Sequence, residues 1–127
     1  MIIDGQAEFR SLLSHHISIH WPDAAISEYD PIVSGHLPDE FSGAGNDVIL
    51  LGNQLGDREG VDVINTFLKR PNFPALVYFG EKKEASTVFD RGVDGFFIRD
   101  DVRHDKLIVR LSDILVARRT VSSTGSL

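Results

Sequence analysis

The stretch DVILLGNQLGDREG, residues 47–60, decides the predicted fold. It opens with four consecutive apolar residues at positions 48–51, a run typical of a strand that is buried on both faces of a parallel sheet. The run stops at Gly52, passes through a polar loop and reaches Gly60, where a helical pattern begins. In open α/β sheets, ligands and chemistry lie just beyond the carboxyl ends of the strands. A catalytic side chain is therefore expected directly after Leu51, and the residue in that place, Gly52, has no side chain.

Strands and helices alternate along the whole chain, with short connections between them. Apolar runs predict five strands, at residues 1–4, 24–29, 48–51, 75–79 and 95–98. Apolar positions at helical spacing predict helices at residues 6–20, 61–68, 85–91 and 107–119, and a short one near residues 37–41. This alternation predicts a three-layer α/β sandwich with five helices around a five-stranded parallel sheet. The number of strands in so short a chain favours the flavodoxin-like strand order 2-1-3-4-5.

Composition narrows the classes of function. The 127 residues carry a formal net charge of −6, with a pI of about 5.2, which disfavours direct binding to nucleic acid or to an anionic membrane. The absence of cysteine excludes disulfides, thiolate chemistry and cysteine-based zinc sites. Neither a run of about 20 apolar residues nor the layout of a signal peptide is present in the sequence, so a cytoplasmic protein is expected.

Two segments resemble the receiver domains of two-component response regulators. DVILLGNQLGDREGVDVI, residues 47–64, is similar to the third strand, phosphoacceptor loop and helix start of that family. GVDGFFIR, residues 92–99, is similar to its Gly-Ala-Asp-Gly-Tyr-Leu-x-Lys segment. The resemblance extends over residues 1–117 and is weaker in the N-terminal third. It implies the CheY-like form of the flavodoxin fold.

The resemblance also shows where phosphotransfer residues would stand. In working receivers an aspartate after the third strand accepts the phosphoryl group, and two acids after the first strand hold Mg²⁺. A Ser or Thr after the fourth strand and a Lys after the fifth bind the phosphoryl oxygens. In this chain those places hold Gly52 for the acceptor, Asp4 and Gly5 for the acids, Phe79 for the hydroxyl and Arg99 for the lysine. The resemblance therefore implies a pseudo-receiver whose phosphorylation site is degenerate.

A regulatory domain without catalytic residues, metal or cofactor is the function that this pattern implies. We expect it to act by contact with a protein partner or with a second copy of itself, through the face that related receivers use. That face comprises the fourth helix, the fifth strand and the fifth helix, and would include Phe96 and Arg99. Residues 1–119 would form the domain. Residues 120–127 are rich in Ser, Thr and Gly and predict a tail or the start of a linker, as in the N-terminal module of a larger signalling protein.

Three hypotheses follow about the emptied strand ends. Asp4 and Arg99 lie at the ends of adjacent predicted strands, so they are expected to form an ion pair. Alternatively, the vacated pocket binds a small ligand. As a third possibility, the domain is an atypical receiver that is phosphorylated elsewhere, and Asp57 is the nearest loop acid that would serve, although a loop or capping role fits it better.

Two further motifs have weak functional interpretations. His16 and His20 are four residues apart on one helix, a spacing that can bind zinc, but His16 falls on the apolar face and is better explained as a residue at the edge of the core. The Gly-Ala-Gly at residues 43–45 precedes a strand instead of following one, so it is interpreted as a flexible connection and not as a nucleotide loop.

Overall fold

The protein is a five-stranded parallel sheet between two layers of helices. The computed structural model describes residues 1–125 and the side chains of residues 1–118. The strands are β1 (Ile2–Ile3), β2 (Glu28–Tyr29), β3 (Val48–Gly52), β4 (Ala75–Gly80) and β5 (Gly95–Ile98). All neighbouring pairs are parallel, and the strand order is β2-β1-β3-β4-β5. The predicted fold class and strand order are therefore confirmed.

Four α-helices connect the strands, and a fifth follows β5. They are α1 (Ala7–His20), α2 (Pro31–Ser34), α3 (Gly60–Leu68), α4 (Ala85–Arg91) and α5 (His104–Gly125). Single turns of 3-10 helix at Lys82–Glu84 and Arg99–Asp101 follow β4 and β5. Helix α4 ends at Gly92, whose φ of 97° lies in the left-handed region that glycine adopts without a steric cost.

The core has two halves, one on each face of the sheet. Successive side chains of a strand point to opposite faces, so a strand that is apolar throughout supplies both halves. Leu51 and Tyr78 pack with α3 and α4, whereas Leu50 and Phe79 pack with α1 and α5. Every residue of β4 is buried. The buried strands thus hold their carboxyl ends in fixed positions at one edge of the sheet.

The region between β1 and β3 differs from the prediction. The short helix was predicted near residues 37–41, but α2 lies at Pro31–Ser34. Asp30 caps it, since its carboxylate accepts hydrogen bonds from the backbone N–H groups of Ile32 and Val33 at 2.9 and 3.2 Å. Asp30 and Pro31 are thus the N-cap and the first residue of a helix.

Strand β2 is shorter than predicted. It was expected at residues 24–29 and comprises only Glu28 and Tyr29. Its neighbour β1 is itself two residues long, so Ile2 and Ile3 are the only residues with which this edge strand can pair in register.

Helix α5 continues through Gly125, past the domain boundary predicted at residue 119. Residues 126 and 127, at the end of the expected tail, lie outside the described residues, and the assignment of residues 120–127 to a tail or linker stays a prediction. Among the described helices, none combines the length and the apolar character that a membrane span requires.

Candidate functional site at the carboxyl ends of the strands

Four strands bring the residues of the predicted phosphorylation site together. Asp4 follows β1, Gly52 ends β3 and Arg99 follows β5, while Phe79 lies in β4 directly beside Gly52 in the register of the sheet. The carboxyl ends of parallel strands meet at one edge, which is where open α/β proteins place their chemistry. The structure can therefore be compared with the prediction residue by residue.

Asp4 and Arg99 form the predicted ion pair. The distances are 2.7 Å from Arg99 Nη1 to Asp4 Oδ1 and 2.8 Å from Nη2 to Oδ2, so both carboxylate oxygens are engaged in a bidentate arrangement. Asp4 is 0% exposed, and the Arg99 side chain is 10% exposed. The weak energies typical of surface pairs do not apply to such a site, because water is excluded from the pair. The ion-pair hypothesis is confirmed, but the strands that carry the two residues are not adjacent as expected, because β3 and β4 lie between β1 and β5.

Backbone N–H groups donate further hydrogen bonds to the Asp4 carboxylate. The N–H of Gln6 donates to Oδ2 at 2.9 Å, and the N–H of Gln54 donates to Oδ1 at 3.2 Å. Each carboxylate oxygen thus accepts one bond from Arg99 and one from the backbone. The acid that would hold Mg²⁺ in a working receiver is instead the acceptor of a buried, fully hydrogen-bonded ion pair.

Arg99 has three further partners, which the sequence did not indicate. Its Nη2 donates to the side-chain oxygen of Gln6 at 2.6 Å, and its Nη1 donates to that of Asn53 at 3.2 Å. The guanidinium carbon lies 4.0 Å from the centroid of the Phe9 ring. A lysine in this position would lack both the planar stacking surface and the fork of donors. Arg99 is thus fitted to Asp4, and its role differs from that of a phosphoryl-binding lysine.

Gly52 leaves the space in which this pair lies. A Cβ atom at this position would overlap the Asp4 carboxylate and would lie 2.9 Å from Arg99 Nη1. Any larger side chain, including an aspartate, would displace the pair. The place of the phosphoacceptor is thus occupied by the neighbouring side chains, which weakens the hypothesis that a small ligand uses an emptied pocket there.

The position of the second acid is closed as well. A Cβ atom at Gly5 would overlap the side chain of Ile32 and would lie 2.9 Å from the carbonyl oxygen of Gln54. The N–H of Gly5 donates to that same carbonyl at 2.7 Å. Helix α2, whose position the sequence did not predict, therefore covers the place where a second metal ligand would have to enter.

Phe79 supports the pair from within the core. It is fully buried, and its ring centroid lies 5.6 Å from those of Phe9 and Phe97. Phe9 in turn carries the Arg99 guanidinium on its ring. The aromatic residue at the hydroxyl position therefore packs against the platform on which Arg99 lies. The sequence places Phe9 only within the helix predicted at residues 6–20.

A second hydrogen-bonded segment continues from Asn53. The Asn53 amide donates to Glu84 at 3.3 Å, and the Tyr78 hydroxyl donates to the other oxygen of Glu84 at 2.6 Å. Burial raises the pKa of Tyr78 well above its ordinary value, and the hydrogen bond to Glu84 adds to this effect. Gly60 leaves room for this hydroxyl, since a Cβ atom there would overlap it. The network thus links the ends of β1, β3, β4 and β5.

On the predicted interaction face, the residues that are exposed are not Phe96 and Arg99, which were expected to form it. Phe96 is half-buried, with its ring 6.2 Å from Tyr78 and 6.1 Å from Phe89, and Arg99 turns inward to Asp4. Phe89 of α4 and Ile98 of β5 are exposed apolar residues, at 52% and 39%. Phe97 lies on the opposite side of the sheet from Phe96, where it stacks on Phe79.

The remaining candidates lie apart from this network. Asp57 is paired with His36, whose Nε2 lies 2.6 Å from its Oδ1. The residues for which placement is described contain no group of three or more His, Cys, Asp or Glu side chains suited to a metal ion. His16 is paired with His104 of α5, not with His20.

Comparison with solved structures agrees with the fold. The N-terminal domain of an uncharacterized protein from Wolinella succinogenes is similar over 94% of both chains, with 19% identity and a TM-score of 0.70. A response regulator receiver protein from Pseudoalteromonas atlantica is similar over 92% of this chain and 96% of its own, with 14% identity and a TM-score of 0.62. The chain has the fold of a receiver domain.

A third similar structure is a fusion that carries the trimeric coiled coil of yeast Spc42. It matches 96% of this receiver-fold chain and 81% of its own length, with 12% identity and a TM-score of 0.67. No family model and no curated protein matches the sequence. At these identities the likeness establishes the fold alone, so the role of the strand ends has to be derived from the side chains of this chain.

Proposed function

We propose that this receiver-fold domain is a non-catalytic regulatory module of signal transduction that acts through protein–protein contacts, independently of aspartyl phosphorylation. The observation that carries the proposal is the bidentate Asp4–Arg99 pair in the space next to Gly52. Phosphotransfer to a receiver needs a carboxylate nucleophile and a metal site. Here Gly52 stands in the position of the nucleophile, and Asp4, the remaining acid, is paired with Arg99.

The pair also supports a fixed conformation. A working receiver changes shape when a phosphoryl group recruits side chains toward the third strand. In this chain Arg99 already bridges β5 to Asp4 of β1, and it contacts Phe9 on α1 and Asn53 after β3. Separating these groups would expose an unpaired buried charge, which is strongly unfavourable. The domain would accordingly present one surface at all times.

The surface we propose for partner binding lies beside β5. Residues 96 and 98 of a strand share a face, and Phe96 contacts Phe89 of α4, so Phe89, Phe96 and Ile98 form one apolar strip. We call these three residues the Phe89 strip. Its exposed members are apolar side chains at a sheet edge flanked by α4 and α5, which favours a protein partner or a second copy. By analogy with receivers, we propose that this module is cytoplasmic. We also propose that it is the N-terminal module of a larger signalling protein.

Phosphorylation independence is tested with beryllofluoride and Mg²⁺, which mimic an aspartyl phosphate. We expect the amide resonances of Asn53 and Arg99 to remain unshifted in a ¹H–¹⁵N spectrum, and the intact mass to stay constant after incubation with acetyl phosphate. A receiver domain with an intact acceptor site, treated in parallel, supplies the positive control. Shifts centred on Asn53, or a gain in mass of one phosphoryl group, would contradict the proposal and favour an atypical receiver.

A further inference from the structure

Two histidines from different helices meet at the boundary between α1 and α5. His16 lies in the second half of α1, and His104 is the first residue of α5. Their Nδ1 atoms are 2.8 Å apart, and the ring centroids are separated by 4.9 Å with a tilt of 36°. In the sequence, the spacing of His16 and His20 is one that can bind zinc. In the structure, His16 instead contacts His104, which is 88 positions away along the chain.

The arrangement of these rings suits a metal ion. In the absence of a metal, only one of the facing Nδ1 atoms can carry a proton, because the other must accept the hydrogen bond. Two imidazole nitrogens bound to one ion at about 2.0–2.1 Å, with an angle of about 90° between them, lie about 2.9 Å apart. The observed separation of 2.8 Å is close to that value, so rotation of the two rings, without a shift of either helix, would let both nitrogens bind one ion.

The surroundings of the two rings suit a cation. Both rings are half-buried, so solvent can reach the site and supply the remaining ligands. The net charge of −6 favours a cation over an anion.

We propose that His16 and His104 form a two-histidine site for a late divalent transition-metal ion, with Cu²⁺ preferred. Imidazole ligands at a right angle are typical of tetragonal Cu²⁺ and Ni²⁺, whereas tetrahedral Zn²⁺ would need the two nitrogens farther apart, at about 3.3 Å. Water molecules complete the coordination. A bound ion would join α1 to α5 on a face separate from the Phe89 strip, so the site is independent of the partner surface proposed above.

The site is tested with the untagged full chain and Cu²⁺ alone. We expect one tightly bound Cu²⁺ per chain, with electron paramagnetic resonance showing a tetragonal signal that is split by two imidazole nitrogens. His16→Ala and His104→Ala should each weaken binding at least about tenfold, since the loss of an outer partner of a ligand alone has an effect of that size. Ni²⁺ and Zn²⁺, added separately, should bind more weakly in that order.

Two matched variants distinguish this pair from adventitious binding by other histidines. His20→Ala removes the exposed neighbour on the same helix, and His36→Ala removes a histidine that is paired with Asp57. Both should leave the Cu²⁺ affinity within about twofold of the parent. Equal losses in His20→Ala and His104→Ala, or Cu²⁺ binding that survives both His16→Ala and His104→Ala in chains that retain native circular dichroism, would overturn the proposal and leave an ordinary hydrogen bond between the two rings.

Discussion

At the residue scale, the decisive feature is a buried negative charge that one side chain neutralises. Asp4 is fully buried, and Arg99 reaches it from 95 residues away along the chain. A buried pair of this kind contributes little relative to well-packed apolar residues, but breaking it is costly, because the remaining charge cannot be hydrated. The pair therefore specifies one arrangement of the strand ends more than it adds to stability.

Arg99→Met should lower the free energy of unfolding by about 3–5 kcal/mol, the range for a buried charge that has lost its partner. Arg99→Lys keeps the charge and should cost less. Urea denaturation measures both variants. Arg103→Met is the matched control, since Arg103 contacts Asp101 at 3.5 Å on the exposed surface, where a pair is worth at most about 1 kcal/mol. If Arg99→Met and Arg103→Met lowered the free energy of unfolding by the same small amount, the Asp4–Arg99 pair would not constrain the fold.

Gly52→Ala should destabilise the domain although it adds only one methyl group. The new Cβ would meet the Asp4 carboxylate and Arg99, and neither can move without losing hydrogen bonds. Gly95→Ala is the control, because its Cβ would meet only ordinary contacts, of 3.5 Å and more. A fall in the melting temperature confined to Gly52→Ala would support the crowded site, and equal melting temperatures would contradict it.

Gly52→Asp should not restore phosphorylation. The new carboxylate would enter next to Asp4, while Ile32 and the Gln54 carbonyl close the position of the second acid at Gly5. Two adjacent carboxylates would also compete for Arg99. Incubation with acetyl phosphate and Mg²⁺, followed by mass spectrometry, measures the result. A gain of one phosphoryl group on this variant would show that the strand ends are more adaptable than the geometry indicates.

At the scale of the helices, the contact between α1 and α5 should be sensitive to acid. The pKa of His16 is lowered in the folded state, first by burial and then by His104 and His15, so it lies below the unfolded value of 6.5. Between these two values the unfolded chain binds more protons, and the free energy of unfolding therefore falls as the pH falls. The stability that depends on neutral His16 is complete above pH 6.5 and is lost as the pH drops through the folded pKa.

Urea denaturation at a series of pH values from about 7.5 to 4.5 checks this sign. The parent should lose more stability across this range than His16→Gln, because glutamine cannot bind a proton. His20→Gln serves as the control for an exposed histidine on the same helix. Identical pH profiles for the parent and His16→Gln would contradict the assignment.

The helices also show where sequence interpretation succeeds and where it fails. Buried runs such as residues 48–51 predicted the strands, because a strand with two covered faces has no polar alternation to obscure it. The Asp4–Arg99 pair was expected because parallel strands end at one edge of the sheet, although β1 and β5 are not adjacent and Arg99 has to reach past the ends of β3 and β4. The place of α2 did not follow, because Asp30-Pro31 can either turn the chain or start a helix. Gln6, Asn53 and Glu84 were missed because their partners are set by side-chain reach across the fold, which no local pattern records.

At the scale of the whole molecule, the sheet and both core halves are those of a receiver fold. The strand ends differ from those of a working receiver, because Asp4 and Arg99 form an ion pair where phosphotransfer would take place. Under the proposed function, the domain presents one constant surface to its partners, because the Asp4–Arg99 pair holds that edge of the sheet in one arrangement. Self-association through the Phe89 strip is the most direct consequence that can be measured.

Phe89→Ser should therefore shift a concentration-dependent dimer toward monomer in size-exclusion chromatography with light scattering. Phe89 is 52% exposed, so the change removes apolar contact area without opening the core. Val33→Ser is the matched control, because Val33 is also exposed and apolar but lies on α2, away from β5. The parent and Val33→Ser should dimerise alike, while Phe89→Ser should need a higher concentration. A parent that stays monomeric at all concentrations would rule out self-association through the Phe89 strip. An equal change in the dimerisation of Phe89→Ser and Val33→Ser would rule it out as well, because the effect would then not be specific to Phe89.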